Sequence, residues 1–293
     1  MLYIGQLPAT ELPPLRFAVA DSWTMPLVRL ENNQPVEGIM FDLMNTLASR
    51  VQRRPEFHVM PRLRLQTAME RGSVDVRCFV MPSWSGGQPG NFSWSPPLFQ
   101  QRDWLVARSQ EAAPKSLADL PSGVIGTVLG FNYPALQPQF DNGHLKRDDA
   151  RNQLQVLQKL QAGRYRYAIS SQLSLDWFNR QLPAEQRLQP LAGLEEQQLG
   201  CMVRNDPENS AQGLLQALVR MKQTGETEQI FKRYSLTNTL PLQRRVLQST
   251  QSSSGMQPLT IQRGCPLIRF SSSSERPDVS RTRCNTRSGT VNT

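Results

Sequence analysis

The chain has 293 residues, 38% of them hydrophobic, enough for a sizeable core, and carries a formal charge of +9. No run of eighteen apolar residues occurs, which excludes a transmembrane helix, and the start has no charged segment before a long apolar core, unlike a signal peptide. Eight arginines against two acidic residues lie beyond residue 236, leaving about +3 for the rest, so the basic balance belongs to the tail and gives no case for specific nucleic-acid binding.

The body opens with a strand at LRFAVA (15–20), followed by a loop across 21–38. IMFDLMNTLASRVQ places Ile39, Leu43, Leu47 and Val51 on one helical face. PEFHVM reads as a second strand, LRLQTAMERGS as a helix closed by Gly72, and VDVRCFVM as a strand covered on both faces. This βαβαβ order predicts an α/β fold on an open sheet. DWLVARS gives another strand, KSLADL a short helix or turn, GVIGTVLG a strand, and NYPALQPQF the start of a helix. NQLQVLQKLQAGRY reads as an amphipathic helix with Leu154, Leu157 and Leu160 inward, stopping at Gly163. RYAIS is a strand, SLDWFNRQL a short helix, QQLGCMVR a returning strand, and 210–234 a helical region broken at Gly225. From residue 237 onward, ten serines and scattered arginines without periodicity predict a disordered basic tail.

The four cysteines have neither zinc-ligand nor redox spacing, and the two histidines are far apart, so no metal and no cofactor is expected. Cys78 and Cys201 fall on different predicted strands and need not be adjacent.

Six segments in order resemble the bacterial extracellular solute-binding proteins of family 3, the periplasmic amino-acid receptors of ABC uptake systems. They are PVEGIMFDLMNTLASRV, AMERGSVDVRCFVM, FSWSPPLFQQRDWLVAR, KSLADLPSGVIGTVLGFNYPAL, VLQKLQAGRYRYAISS and MKQTGETEQIFKRY. The resemblance covers residues 15–236. It implies a type II periplasmic-binding-protein fold with two α/β lobes and two hinge crossings. Lobe one would comprise residues 1–104 and 199–236, and lobe two 105–198. It implies a monomeric receptor for a small-molecule solute, in the periplasm, partnered by an inner-membrane ABC permease or a sensor protein. A cytoplasmic location follows instead if the chain has no leader.

The resemblance also shows where anchors should be. The family's carboxylate-binding arginine falls in MPSWSGGQPG, which has none, and its ammonium-binding aspartate falls where this chain has Ser170 and Ser171. The implied ligand is therefore a small polar or aromatic molecule other than a standard α-amino acid. Arg77 supplies a positive charge from the strand, or pairs with Asp75 or a helix residue. Trp23 and Trp84 offer flat walls, with Trp94 a weaker third. Gly130 would permit a tight turn, and Phe131 and Asn132 would present backbone N–H donors at a helix start capped by Asn132. Ser170 and Ser171 complete the set, while Asp42 reads as a first-turn helix residue. Only Asp21 and Glu37 lie near the implied cleft as acid or base, so a binding protein rather than an enzyme is expected. A receptor that has lost its ligand, or a dehydratase-like enzyme on the same fold, are the alternatives.

Overall fold

In a computed structural model, residues 12–85, 91–206 and 210–235 are described. The tail beyond 236 and the Gly-Gly part of the turn after the third strand lie outside them. The elements are β1 (Leu15–Ala20), β2 (Arg29–Glu31), β3 (Gln34–Glu37), α1 (Ile39–Arg50), β4 (Pro55–Met60), α2 (Arg62–Glu70), β5 (Val76–Val80), β6 (Phe92–Trp94) and β7 (Phe99–Arg108). There follow β8 (Gly123–Val128), α3 (Gln137–Asp141), β9 (Leu145–Ala150), α4 (Gln153–Gln161), β10 (Tyr167–Ser171), α5 (Gln172–Asn179), β11 (Leu188–Arg204), α6 (Ala211–Gln223) and α7 (Glu226–Tyr234).

The main sheet runs β4-β1-β5-β11-β7-β10-β8-β9, with β6 paired to β11. At one end β1 pairs in parallel with β4 and β5, and at the other β8 pairs in parallel with β9 and β10. Between them β7 and β11 run antiparallel for most of their length, from Phe99 against Leu199 to Arg108 against Leu188. This long ladder is the only part of the described sheet that joins the two α/β sets.

The core divides along the same line. One cluster gathers Phe17, Val19, Leu43, Leu47, Val76 and Leu199, with other apolar residues of the first set. In the second set, successive residues of β7 feed opposite faces: Val106 packs with Val156 and Leu160, while Leu105 and Ala107 pack with Ile125 and Leu136. A strand covered on both faces has to be apolar at every position, and LVA is.

Helix α1 buries Ile39, Leu43 and Leu47 as the periodicity predicts, with Met40 and Met44 widening the stripe. In α4 the inward residues are Val156, Leu157 and Leu160, whereas Leu154 is exposed. Asn152 sets the helix start by accepting a hydrogen bond from the Gln155 N–H at 2.9 Å, and that start fixes which residues face inward. The expected loop over 21–38 contains the β2–β3 hairpin, turned by Asn32 and Asn33 at φ of 49° and 59°. A two-residue turn with both φ values positive suits asparagine. The helix expected from residue 132 begins later: a 3-10 turn at Pro134–Leu136 leads into the short α3.

Candidate functional site

A cleft of about 620 Å³ opens between the two halves of the sheet. Its walls come from the loop after β1, the start of α2, β5 and the turn that follows it, the loop after β8, and the start of α5. Its floor comes from β7 and β11. Of the residues singled out in the sequence, Trp23, Arg77, Trp84, Gly130, Phe131, Asn132 and Ser171 all line this one space. Ser170 is fully buried, donates its hydroxyl to the Ser171 carbonyl at 3.1 Å, and is not part of the lining. Trp94 sits on β6, paired with Met202, also outside the lining. Asp42 accepts hydrogen bonds from the Tyr234 hydroxyl at 2.9 Å and pairs with Arg233, holding α1 against α7.

Arg77 is 7% exposed, and its one hydrogen bond among the described residues goes from Nη1 to Gln66 Oε1 of α2 at 3.2 Å. It does not pair with Asp75. That carboxylate is 1% exposed and is taken by Arg16, at 2.6 Å, and by Arg204, at 3.2 Å. Burial raises Asp75, but the bonds from Arg16 and Arg204 outweigh it and hold the carboxyl below its ordinary value. The other four donors of Arg77 make no hydrogen bond among the described residues. Burial, and secondly the charge of Arg62, bring its pKa down to about 10, so it stays cationic at neutral pH.

Arg62, the first residue of α2, likewise has no hydrogen bond to a carboxylate among the described residues, although Asp103 is near enough to favour its charge. Its guanidinium lies 5.1 Å from the ring centre of Trp84 and 4.1 Å from that of Phe131. The stack joins a first-half wall to a second-half wall across the cleft rim, and Leu63 beside it comes within ordinary contact distance of a side chain added at Gly130. Burial lowers the Arg62 pKa as well. Two guanidiniums therefore line the cleft with no counter-ion bonded to them among the described residues, a costly arrangement unless something anionic completes it.

The other candidates are placed by local backbone. Gly130, at φ +74°, turns the chain out of β8 in a conformation that disfavours a side chain. The Phe131 N–H donates to the Val128 carbonyl at 3.2 Å, so this donor is spent in the turn. Asn132 caps no helix, because the 3-10 turn starts at Pro134 without a side-chain cap. Ser171 caps α5, accepting from the Ser174 N–H at 3.3 Å, and its hydroxyl lies 3.0 Å from that of Ser174. Trp23 packs edge-on to Phe79, with ring centres 6.3 Å apart. Phe79 has φ 60° at an irregularity in the β5–β11 ladder, where an extra residue re-aims its side chain.

The floor was not visible in the sequence. Gln101 and Asp103 of β7 face Gln197 and Glu195 of β11 in register, and all four line the cleft. Asp103 also sits opposite Ser171 on its other side, in β10. Its Oδ1 accepts from Gln101 Nε2 at 3.0 Å. Burial, with Glu195 adding repulsion, raises the Asp103 pKa to about 6. Within the β5–β11 ladder, Cys78 forms a disulfide with Cys201, its partner across the two strands, a pairing that cysteine spacing did not indicate. Among the described residues no group of three or more His, Cys, Asp or Glu side chains is placed to hold a metal ion.

Residues 15–237 match the sequence pattern of the bacterial extracellular solute-binding proteins, family 3. The chain belongs to this family. No curated protein matches it by sequence. Among solved structures, this family-3 chain is similar to an ancestral arginine-binding protein bound to arginine, with a TM-score of 0.63 and 19% identity over 75% of this chain and 97% of that one. It is similar to a histidine kinase sensor domain that resembles periplasmic binding proteins, at TM-score 0.60 and 19% identity over 75% and 95%. It is also similar to the GluR0 ligand-binding core from Nostoc punctiforme in complex with L-glutamate, at 0.60 and 18% over 75% and 99%. At these identities the likeness shows the fold, a mixed α/β type II architecture.

Proposed function

We propose that this family-3 protein is a receptor for a small polar or aromatic solute, which it holds in the cleft without turning it over. The observation that carries this reading is the pair Arg62 and Arg77, two desolvated guanidiniums lining a cavity with no bonded counter-ion among the described residues. They would hold an anionic group of the solute, with Arg77 offering the planar fork that suits an oxyanion. Trp23, Phe79 and Trp84 would cover its body, and Ser171 would add a hydroxyl.

This arrangement replaces the family's usual anchors with others, so the solute need not be a standard α-amino acid. The lobes, 1–104 with 199–236 and 105–198, would close by bending at β7 and β11. The Cys78–Cys201 disulfide supports an oxidising, extracytoplasmic compartment, and family membership supports the periplasm. The receptor would serve uptake through a permease or report to a sensor partner; the likeness to a kinase sensor domain supports keeping the second role.

The test is a thermal-shift screen of the full chain against carboxylates, amines, amino acids and neutral metabolites. At least one anionic solute should raise the melting temperature, and Arg77→Gln should weaken its binding by about 10- to 100-fold, the worth of a charge-assisted hydrogen bond. A screen in which nothing binds, or a bound solute that ignores Arg77→Gln and Arg62→Gln alike, would refute the receptor as described.

A further inference from the structure

Helix α2 carries Arg62, Gln66 and Glu70 at steps of four, one row along the helix. Arg62 and Gln66 line the cleft, while Glu70 is exposed. Gln66 links this row to β5. Its Oε1 accepts from Arg77 Nη1 at 3.2 Å, and its Nε2 donates to Glu70 Oε1 at 3.0 Å. These two partners admit one orientation of the amide. A guanidinium can only donate and an ionised carboxylate can only accept, so the Gln66 oxygen faces Arg77 and its nitrogen faces Glu70.

The acceptor chosen for Arg77 is uncharged, and the same region shows the alternative. Asp75, two residues earlier in the chain, pairs with Arg16 at 2.6 Å and with Arg204 at 3.2 Å, and those guanidiniums are held by a carboxylate. Arg77 is 7% exposed, yet its one bonded acceptor among the described residues is the Gln66 amide. The acid of the row, Glu70, meets that amide and makes no hydrogen bond to Arg77. A carboxylate at position 66 would stand against Arg77 and one helical turn from Arg62, and would neutralise the wall. An amide holds the guanidinium in place without cancelling its charge, and leaves that charge to be met from the cleft.

We infer that Gln66 is the positioning residue that sets the charge selectivity of the cleft, orienting Arg77 toward an anionic group through an uncharged acceptor. The inference rests on the receptor reading above and deepens it. Gln66 acts in this role through Arg77, so its effect is on the discrimination between anionic and neutral solutes.

Isothermal titration of the full chain at pH 7.5 with matched compounds tests this: benzoate against benzamide, pentanoate against pentanamide, and any anionic hit of the screen against its neutral amide. The readout is the ratio of the two affinities. A merely structural defect weakens both members of a pair and leaves the ratio where it was. In the natural chain the anion of at least one pair should bind about tenfold or more tightly than the amide, as expected of a charge-assisted bond. Gln66→Glu should bring that ratio below about threefold, because the introduced carboxylate takes Arg77. Gln66→Met removes the acceptor without adding charge and should lower the ratio by about threefold; it also serves should the first variant fail to fold. A ratio unchanged in both Gln66 variants overturns the role of Gln66, and the receptor stands if Arg77→Gln or Arg62→Gln abolishes the same ratio. A ratio that survives those arginine variants as well, or a natural chain that binds no compound of any pair, overturns both readings.

Discussion

Replacing Asp103 by asparagine should stabilise the ligand-free protein at neutral pH, although the residue lines the proposed site. The carboxyl is raised from 3.8 to about 6, chiefly by burial and then by Glu195. A group whose folded pKa lies above its unfolded one binds more protons in the folded state between those values, so stability falls as pH rises through that window. At about 1.4 kcal/mol per pH unit, the full shift amounts to a penalty of about 3 kcal/mol above pH 6 and none below about pH 4. Solvent at the cleft floor reduces this, so about 1–3 kcal/mol is the expected gain for Asp103→Asn at pH 7.5. Asparagine keeps an oxygen to accept the Gln101 hydrogen bond. For a body of this size that is a rise in melting temperature of about 2–10 °C. The assay is urea or thermal denaturation of both proteins from pH 4 to 8, taking the difference so that other titrating groups cancel. The two curves should meet near pH 4 and diverge above pH 6, with the variant higher. A variant less stable at pH 7.5, or a difference that does not change with pH, would refute the argument.

Reducing the Cys78–Cys201 bond should cost about 2–5 kcal/mol, since it closes a sequence separation of 123 residues; urea melts with and without dithiothreitol measure it, and a Cys78→Ser/Cys201→Ser double variant should then show no response to the reductant. Asp75→Asn should cost about 3–5 kcal/mol at pH 7, because it leaves the Arg16 and Arg204 guanidiniums around a neutral amide. The sign of its pH effect is opposite to that of Asp103: this carboxyl is held below its unfolded value, so its contribution is present above about pH 4 and is lost in acid. Denaturation midpoints of the variant and the natural chain should therefore converge as pH falls toward 2.

The βαβαβ frame was legible because its strands are apolar runs and its helices keep a clean period, as LRFAVA and the Ile39–Leu43–Leu47 stripe show. β9 was not, because LKRDDA forms the outermost strand and its charges face solvent or pair with neighbours, as Asp148 does with Lys159. The cleft floor escaped for a related reason. The strands containing Leu105 and Met202 were recognised from their apolar ends, at residues 103 and 197, while their polar stretches QQRD and EEQQ carry the alternation Gln101–Asp103 and Glu195–Gln197. That alternation is a strand signal whose inner face meets a cavity instead of a core. Seven of the eight candidate residues share the cleft because a family resemblance located the loops. Arg62 was missed because an arginine opening an exposed-looking helix gives no sign that its guanidinium will stack between Trp84 and Phe131. The disulfide was missed because cysteine spacing along a chain does not give connectivity.

β11 belongs to both halves of the molecule, and it is not uniform along its 17 residues. Toward its end it is clamped covalently to β5 through Cys201, while its pairing with β7 slips between Pro190 and Ala192 and again between Gly193 and Glu195. A ribbon clamped at one end and notched near the other has the build of a leaf spring, in which the notches are the places least tied to the neighbouring strand. Glu195 stands at the inner notch, and Gln197 lies between it and the clamp. A solute resting on the cleft floor at those two side chains would thus touch β11 where its ladder is weakest, so that occupancy of the floor and the shape of this strand would be read together.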